Sequence, residues 1–176
     1  MKMYAKNLVM GFLASFSGLT IISFIASYFT RYAETLPIIG NNPLLFHVFV
    51  VAPSEELMFR FFLPLAFMVL FGIDYILSGF ISGFFFGLAH YWAYQQNSAA
   101  IGVAVAAGAW QTIIVYFFSD RENSFTYKPG LLSAILGHGV YNAMVTLAPD
   151  LLLPAAIACA ALFAGIFLLD IGREQS

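Results

Sequence analysis

A single cysteine, sparse charge and the lack of any basic cluster narrow what this chain can be. Cys159 alone closes no disulfide and offers no metal set; in its Ala- and Leu-rich run it reads as a small buried hydrophobe. Charged side chains are 9% of 176 residues and the formal net charge is −2, so the electrostatic footprint of a nucleic-acid binder is missing. No internal repeat, linker or low-complexity tract divides the chain, and 1–176 reads as a single domain. What is abundant is apolar: 61% of residues are hydrophobic and the mean hydropathy is +0.88, which a soluble core does not explain and a polytopic membrane protein does.

The apolar runs predict an all-α bundle of about six transmembrane helices. The first spans Asn7 to Phe29 and reads as an uncleaved helix, since the run after Lys2 and Lys6 is too long for a signal sequence and lacks a small-x-small cleavage site. A polar turn, Thr30 to Asn42, leads to a run from Leu44 to Leu70. Its prolines permit one long kinked helix, the favoured version, or a break at Pro53 with Ser54 capping a new helix. After a turn at Gly72-Ile73-Asp74 come spans at Tyr75–Tyr94, Ala99–Phe118 and Pro129–Leu147, and a last one after Asp150 to Leu169. Lys2, Lys6, Arg121, Lys128 and Arg173 fall on one side against Arg31 on the other, which predicts cytoplasmic termini; Tyr91, Trp92 and Tyr94 fit an aromatic belt at the opposite face.

Ionisable groups at membrane depth cost several kcal/mol each unless paired or facing a wet cavity, roughly 2.5 to 3.5 on insertion scales, so they mark candidate sites. Pro53-Ser54-Glu55-Glu56-Leu57-Met58-Phe59-Arg60 places two carboxylates and a guanidinium within one apolar run. On a helix Glu56 and Arg60 are i,i+4 neighbours and can pair, whereas Glu55 points about 100° away and has no local cation. One carboxylate therefore reads as structural and the other as free to act. His90 falls about one turn from the outer end of the third span. His138 and Asn142 share one face of the fifth. With the topology above, Glu55, His90, His138 and Asn142 can converge on a cavity in the outer half of the membrane. His47 lies apart from them and reads as a structural hydrogen-bonding group, while Gln111 either bonds across the bundle or lines the cavity.

Glu55-Glu56-x-x-x-Arg60, Phe86-x-x-x-His90 and His138-x-x-x-Asn142, in that order on separate membrane helices, resemble the three signatures of the CPBP (ABI) family. These are glutamic intramembrane proteases that include the type II CAAX prenyl endopeptidases and bacteriocin-processing or self-immunity proteins. The resemblance implies an endopeptidase in which Glu55 and His90 activate a water and His138 and Asn142 bind the oxyanion. Glu56 and Arg60 would hold the glutamate helix, and Phe86 would pack in support. It further implies a membrane-associated protein or peptide as substrate, such as a sorting tail, a leader or a prenylated terminus, in the cytoplasmic membrane if the source is prokaryotic. No cofactor is expected; zinc at Glu55, His90 and His138 is the alternative, although His-Glu-x-x-His and other compact zinc signatures are missing. A non-catalytic immunity or scaffolding protein is the other class the resemblance allows. A proton-coupled transporter is a third, against which stands the lack of an inverted repeat.

Overall fold

In the computed structural model, the described residues are 2–30, 44–91, 98–119 and 128–174, and among them the chain is helical with no strand. The described residues form six helices: α1 (Lys2–Thr30), α2 (44–71), α3 (Tyr75–Ala89), α4 (Ser98–Phe118), α5 (Lys128–Leu147) and α6 (Pro149–Glu174). Among the described residues, four segments are long and apolar enough to cross a membrane: Met3–Ala26, Ser98–Phe118, Pro129–Leu147 and Pro149–Ile171. Thr30 is the last residue of α1, while the rest of the expected polar turn to Asn42, the loop bearing Asp120, Arg121 and Glu122, and the belt residues Trp92 and Tyr94 lie outside the described residues.

Helix α1 packs against α4, α5 and α6, and α3 lies against α4. Small and hydroxylated side chains make these approaches possible, as expected where lipid supplies no hydrophobic drive between helices. Gly83 of α3 and Gly108 of α4 touch backbone to backbone: a Cβ on Gly108 would fall 2.9 Å from the Gly83 Cα. Polar groups stitch the same interfaces. Ser15 Oγ donates to Gln111 Oε1 at 3.0 Å, which assigns Gln111 to a bond across the bundle. Trp110 Nε1 donates to the Ala14 carbonyl at 3.0 Å, and Ser133 Oγ reaches the Leu8 carbonyl at 2.9 Å. Helix α6 is peripheral: 6% of its spanning window is buried within the protein, so its apolar surface is left to lipid.

Helix α2 runs without interruption through both of its prolines. The break at Pro53 does not occur, and Ser54 Oγ donates back to the Val50 carbonyl at 2.6 Å instead of capping a new helix. The helix accommodates the prolines by widening. A π turn, His47–Val51, precedes Ala52-Pro53, and a second, Met58–Phe62, precedes Leu63-Pro64. Proline brings no N–H and its ring presses on the carbonyl four residues back, so an i→i+5 turn just upstream relieves the clash without ending the helix.

The third helix is shorter than its apolar run suggests. It ends at Ala89 rather than at Tyr94, and its 15 residues are well below the 20 or so needed to cross a core of about 30 Å. Its start is fixed by Gly72, in the left-handed region at φ 65°, and by Asp74, whose Oδ1 accepts from the Leu77 amide at 2.9 Å. Its end is set by His90 itself.

Candidate active site

His90 is the residue that closes α3, not one a turn inside it. Its Nδ1 lies 2.8 Å from the Phe86 carbonyl, the acceptor that a continuing helix would offer to the His90 amide. That amide bonds instead to Gly87 at 3.1 Å, and Tyr91 follows with a bond to Leu88 at 3.0 Å, so the last turn tightens and stops. A carbonyl can only accept, so Nδ1 carries a proton. Nε2 faces Glu55, 3.5 Å from Oε1.

The second imidazole is fixed in the same way by a different acceptor. His138, in the middle of α5, has Nδ1 2.8 Å from Glu56 Oε1, and its Nε2 lies 3.7 Å from Glu55 Oε2. Both rings therefore turn Nε2 towards one carboxylate. Neither distance is a direct hydrogen bond, for which N···O is about 2.7 to 3.2 Å. A water about 2.8 Å from both a carboxylate oxygen and an Nε2 would lie beside a gap of this size, not within it.

The two glutamates divide as their helical spacing predicts. Glu56 is buried at 1% exposure and Arg60 at 0%, whereas the Glu55 side chain keeps 23% of its surface. Arg60 Nε stands 3.3 Å from Glu56 Oε2, out of line for a hydrogen bond, and Nη1 donates to its neighbour Phe59 carbonyl at 3.1 Å. The guanidinium also lies 4.9 Å over the Phe86 ring. Phe86 is the hub of this cluster, with its centroid 4.5 Å from the His90 ring, 6.4 Å from His138 and 5.3 Å from Phe59.

The structure thus gathers Glu55, Glu56, Arg60, Phe86, His90 and His138. Asn142 lies one turn beyond His138 on α5, half-buried, and the contacts that join the others do not include it; its carbonyl accepts from Thr146 Oγ1 at 2.9 Å. His47 also departs from expectation, because its buried Nε2 makes no hydrogen bond among the described residues. Two residues that motif spacing does not reveal complete the frame. With Leu63 N bonded back to Met58 O and no amide at Pro64, the Phe59 and Arg60 carbonyls lose their helical donors. Ser82 Oγ donates to the first at 2.6 Å and Tyr75 Oη to the second at 2.9 Å. The one available signal was Pro64, which frees the Arg60 carbonyl four residues back.

Among the described residues no three His, Cys, Asp or Glu side chains are arranged to hold a metal ion. An apolar cleft of about 610 Å³ between α1, α4 and α6, lined by Ile21, Trp110, Phe117 and Phe163 among others, contains none of the site residues.

Fold and site together define an all-α integral membrane protein with a carboxylate held between two imidazoles. The model of the Rce1-like family, type II CAAX prenyl endopeptidase Rce1-like, matches residues 42–144, more than half of the chain, and the protein belongs to that family. Membership places it, at the level of the family, among CAAX-type intramembrane proteases. No curated protein and no solved structure matches the chain.

Proposed function

We propose that this protein is a metal-independent glutamic endopeptidase that hydrolyses a peptide bond of a membrane-associated protein or peptide. The observation that carries the reading is the placement of Glu55 between His90 Nε2 and His138 Nε2, at 3.5 and 3.7 Å. Peptide hydrolysis needs a held water, a base for its proton and donors for the developing oxyanion. Glu55 takes a proton from a water that His90 Nε2 helps to hold, the oxygen adds to the scissile carbonyl, and Glu55 returns the proton to the amide nitrogen as the C–N bond breaks. His138 faces that oxygen with Asn142 one turn away. With its Nδ1–H given to Glu56, His138 donates from Nε2 only when the ring carries both protons. Glu56 and Arg60, sealed from solvent, fix the ring and the helix that carry the chemistry.

The whole chain, 1–176, acts as one protease domain. Lys6 of α1 pairs with Asp170 of α6, which supports both ends of the bundle lying at the same face, cytoplasmic by the distribution of basic residues. The site then opens towards the non-cytoplasmic side, where exported tails or leader peptides are within reach. The test is mass-spectrometric mapping of new peptide termini after native membranes are incubated with purified wild type or Glu55→Gln, with and without chelator. Loss of the base costs ~10²–10⁴ in rate, so termini should appear with wild type alone and persist with chelator. Equal patterns from both proteins would move the function to scaffolding or immunity; loss on chelation would restore zinc.

A further inference from the structure

The first π turn of α2 brings a second polar group into line with Glu55. From His47 to Glu55 the chain advances eight residues, of which one turn is π. An α turn takes about 3.6 residues and an i→i+5 turn about 4.4, so those eight residues complete very nearly two turns. His47 and Glu55 therefore share one face of α2. A regular helix would set them about 80° apart. The ring of His47 is braced edge-on by Phe46 with centroids 6.2 Å apart, and its Nε2 is buried with no hydrogen-bond partner among the described residues. Its neighbour Val48 lies against Gly139, the residue after His138, so this turn forms part of the same wall between α2 and α5. Leaving a buried polar atom unbonded is costly, and such groups in native proteins call for a reason.

We propose that His47 is a substrate-positioning residue, whose Nε2 hydrogen-bonds the main chain of the bound peptide at a fixed distance from the cleaved bond. This rests on the protease reading above. Eight residues at about 1.5 Å each separate His47 from Glu55 by some 12 Å. An extended peptide advances about 3.3 Å per residue, so the contact falls three to four residues from the scissile bond. Binding energy realised there orients the reacting carbonyl and takes no part in the proton transfers.

The probe is the set of peptides spanning a cleavage site mapped as above, shortened one residue at a time from either end. Wild type should lose at least tenfold in kcat/KM at one trimming step, three to four residues from the cleaved bond. His47→Phe should carry that loss already at full length, show no further change across the step, and cleave the shortest peptide as fast as wild type; His47→Gln should recover part of the step. A trimming profile in His47→Phe identical to wild type overturns the proposal. So does a uniform loss at every length with a lowered Tm, which marks a structural residue. Absence of any cleavage by wild type sinks the protease reading and this proposal with it, whereas cleavage with an unchanged profile sinks this proposal alone.

Discussion

The two π turns of α2 stand eleven residues apart, at His47–Val51 and Met58–Phe62, and each is followed at the same interval by a proline. In each, the amide immediately after the turn is diverted: Ala52 N bonds back to His47 O as Leu63 N does to Met58 O. The carbonyls released are Val48 and Phe49 in the first and Phe59 and Arg60 in the second. Ser82 and Tyr75 of α3 close the second pair. Among the described residues no side chain donates to the first pair, and Val48 faces Gly139, which has no side chain to offer. The same distortion is thus pinned at one place and open at the other. The pinned turn carries Arg60 and fixes the buried ion pair; the open one carries His47 and lies against α5.

The comparison breaks first at Arg60. Arg60→Ala leaves the Glu56 carboxylate buried with no guanidinium beside it, and stranding one member of a buried pair costs about 3–5 kcal/mol. Unfolding in detergent should show that loss; a change below 1 kcal/mol would mean that the pair is not what holds the turn. A smaller effect sits on the hydroxyls. Tyr75→Phe and Ser82→Ala each remove one donor to a carbonyl that the helix has abandoned. Hydrogen bonds inside membrane proteins average about 0.6 kcal/mol, and an orphaned acceptor costs somewhat more, so each change should lower stability by about 1 kcal/mol. The two carbonyls are adjacent, and the double variant should deviate from the sum if they are pinned as one unit. Strict additivity would separate them.

Much of this was legible without coordinates. Apolar length predicts six helices, i,i+4 spacing predicts that Glu56 and Arg60 pair, and ordered motifs predict that Glu55, His90 and His138 meet. What sequence could not carry was anything that depends on one residue of helical phase. Helix α2 is apolar nearly all round, so an extra residue in a turn leaves no mark on its periodicity, although V-A-P and F-L-P recur eleven residues apart. His90 sits in an unbroken apolar-aromatic run that does not mark where the helix ends, with its imidazole on the Phe86 carbonyl and its amide on Gly87. Asn142 shares a face with His138 yet stays out of the contacts around Glu55, because one turn along a helix is about 5.4 Å, more than a carboxamide spans.

Proline 53 offers the finest cut between the two turns. Pro53→Ala returns an amide to the open turn, where no side chain has to be displaced. The added hydrogen bond contributes about 0.5–1.5 kcal/mol, and the freer unfolded chain offsets it by about 0.4–1 kcal/mol, so stability should change little in either direction. The phase of the helix should change nonetheless. An ordinary α turn over 47–51 swings His47 about 80° away from Glu55 while Glu55, His90 and His138 keep their places. Cleavage of the shortest peptides should then match wild type, and long peptides should be cut as poorly as by His47→Phe. Equal cleavage of long and short peptides by wild type and Pro53→Ala alike would show that the open turn is tolerated by the fold and unused by the substrate.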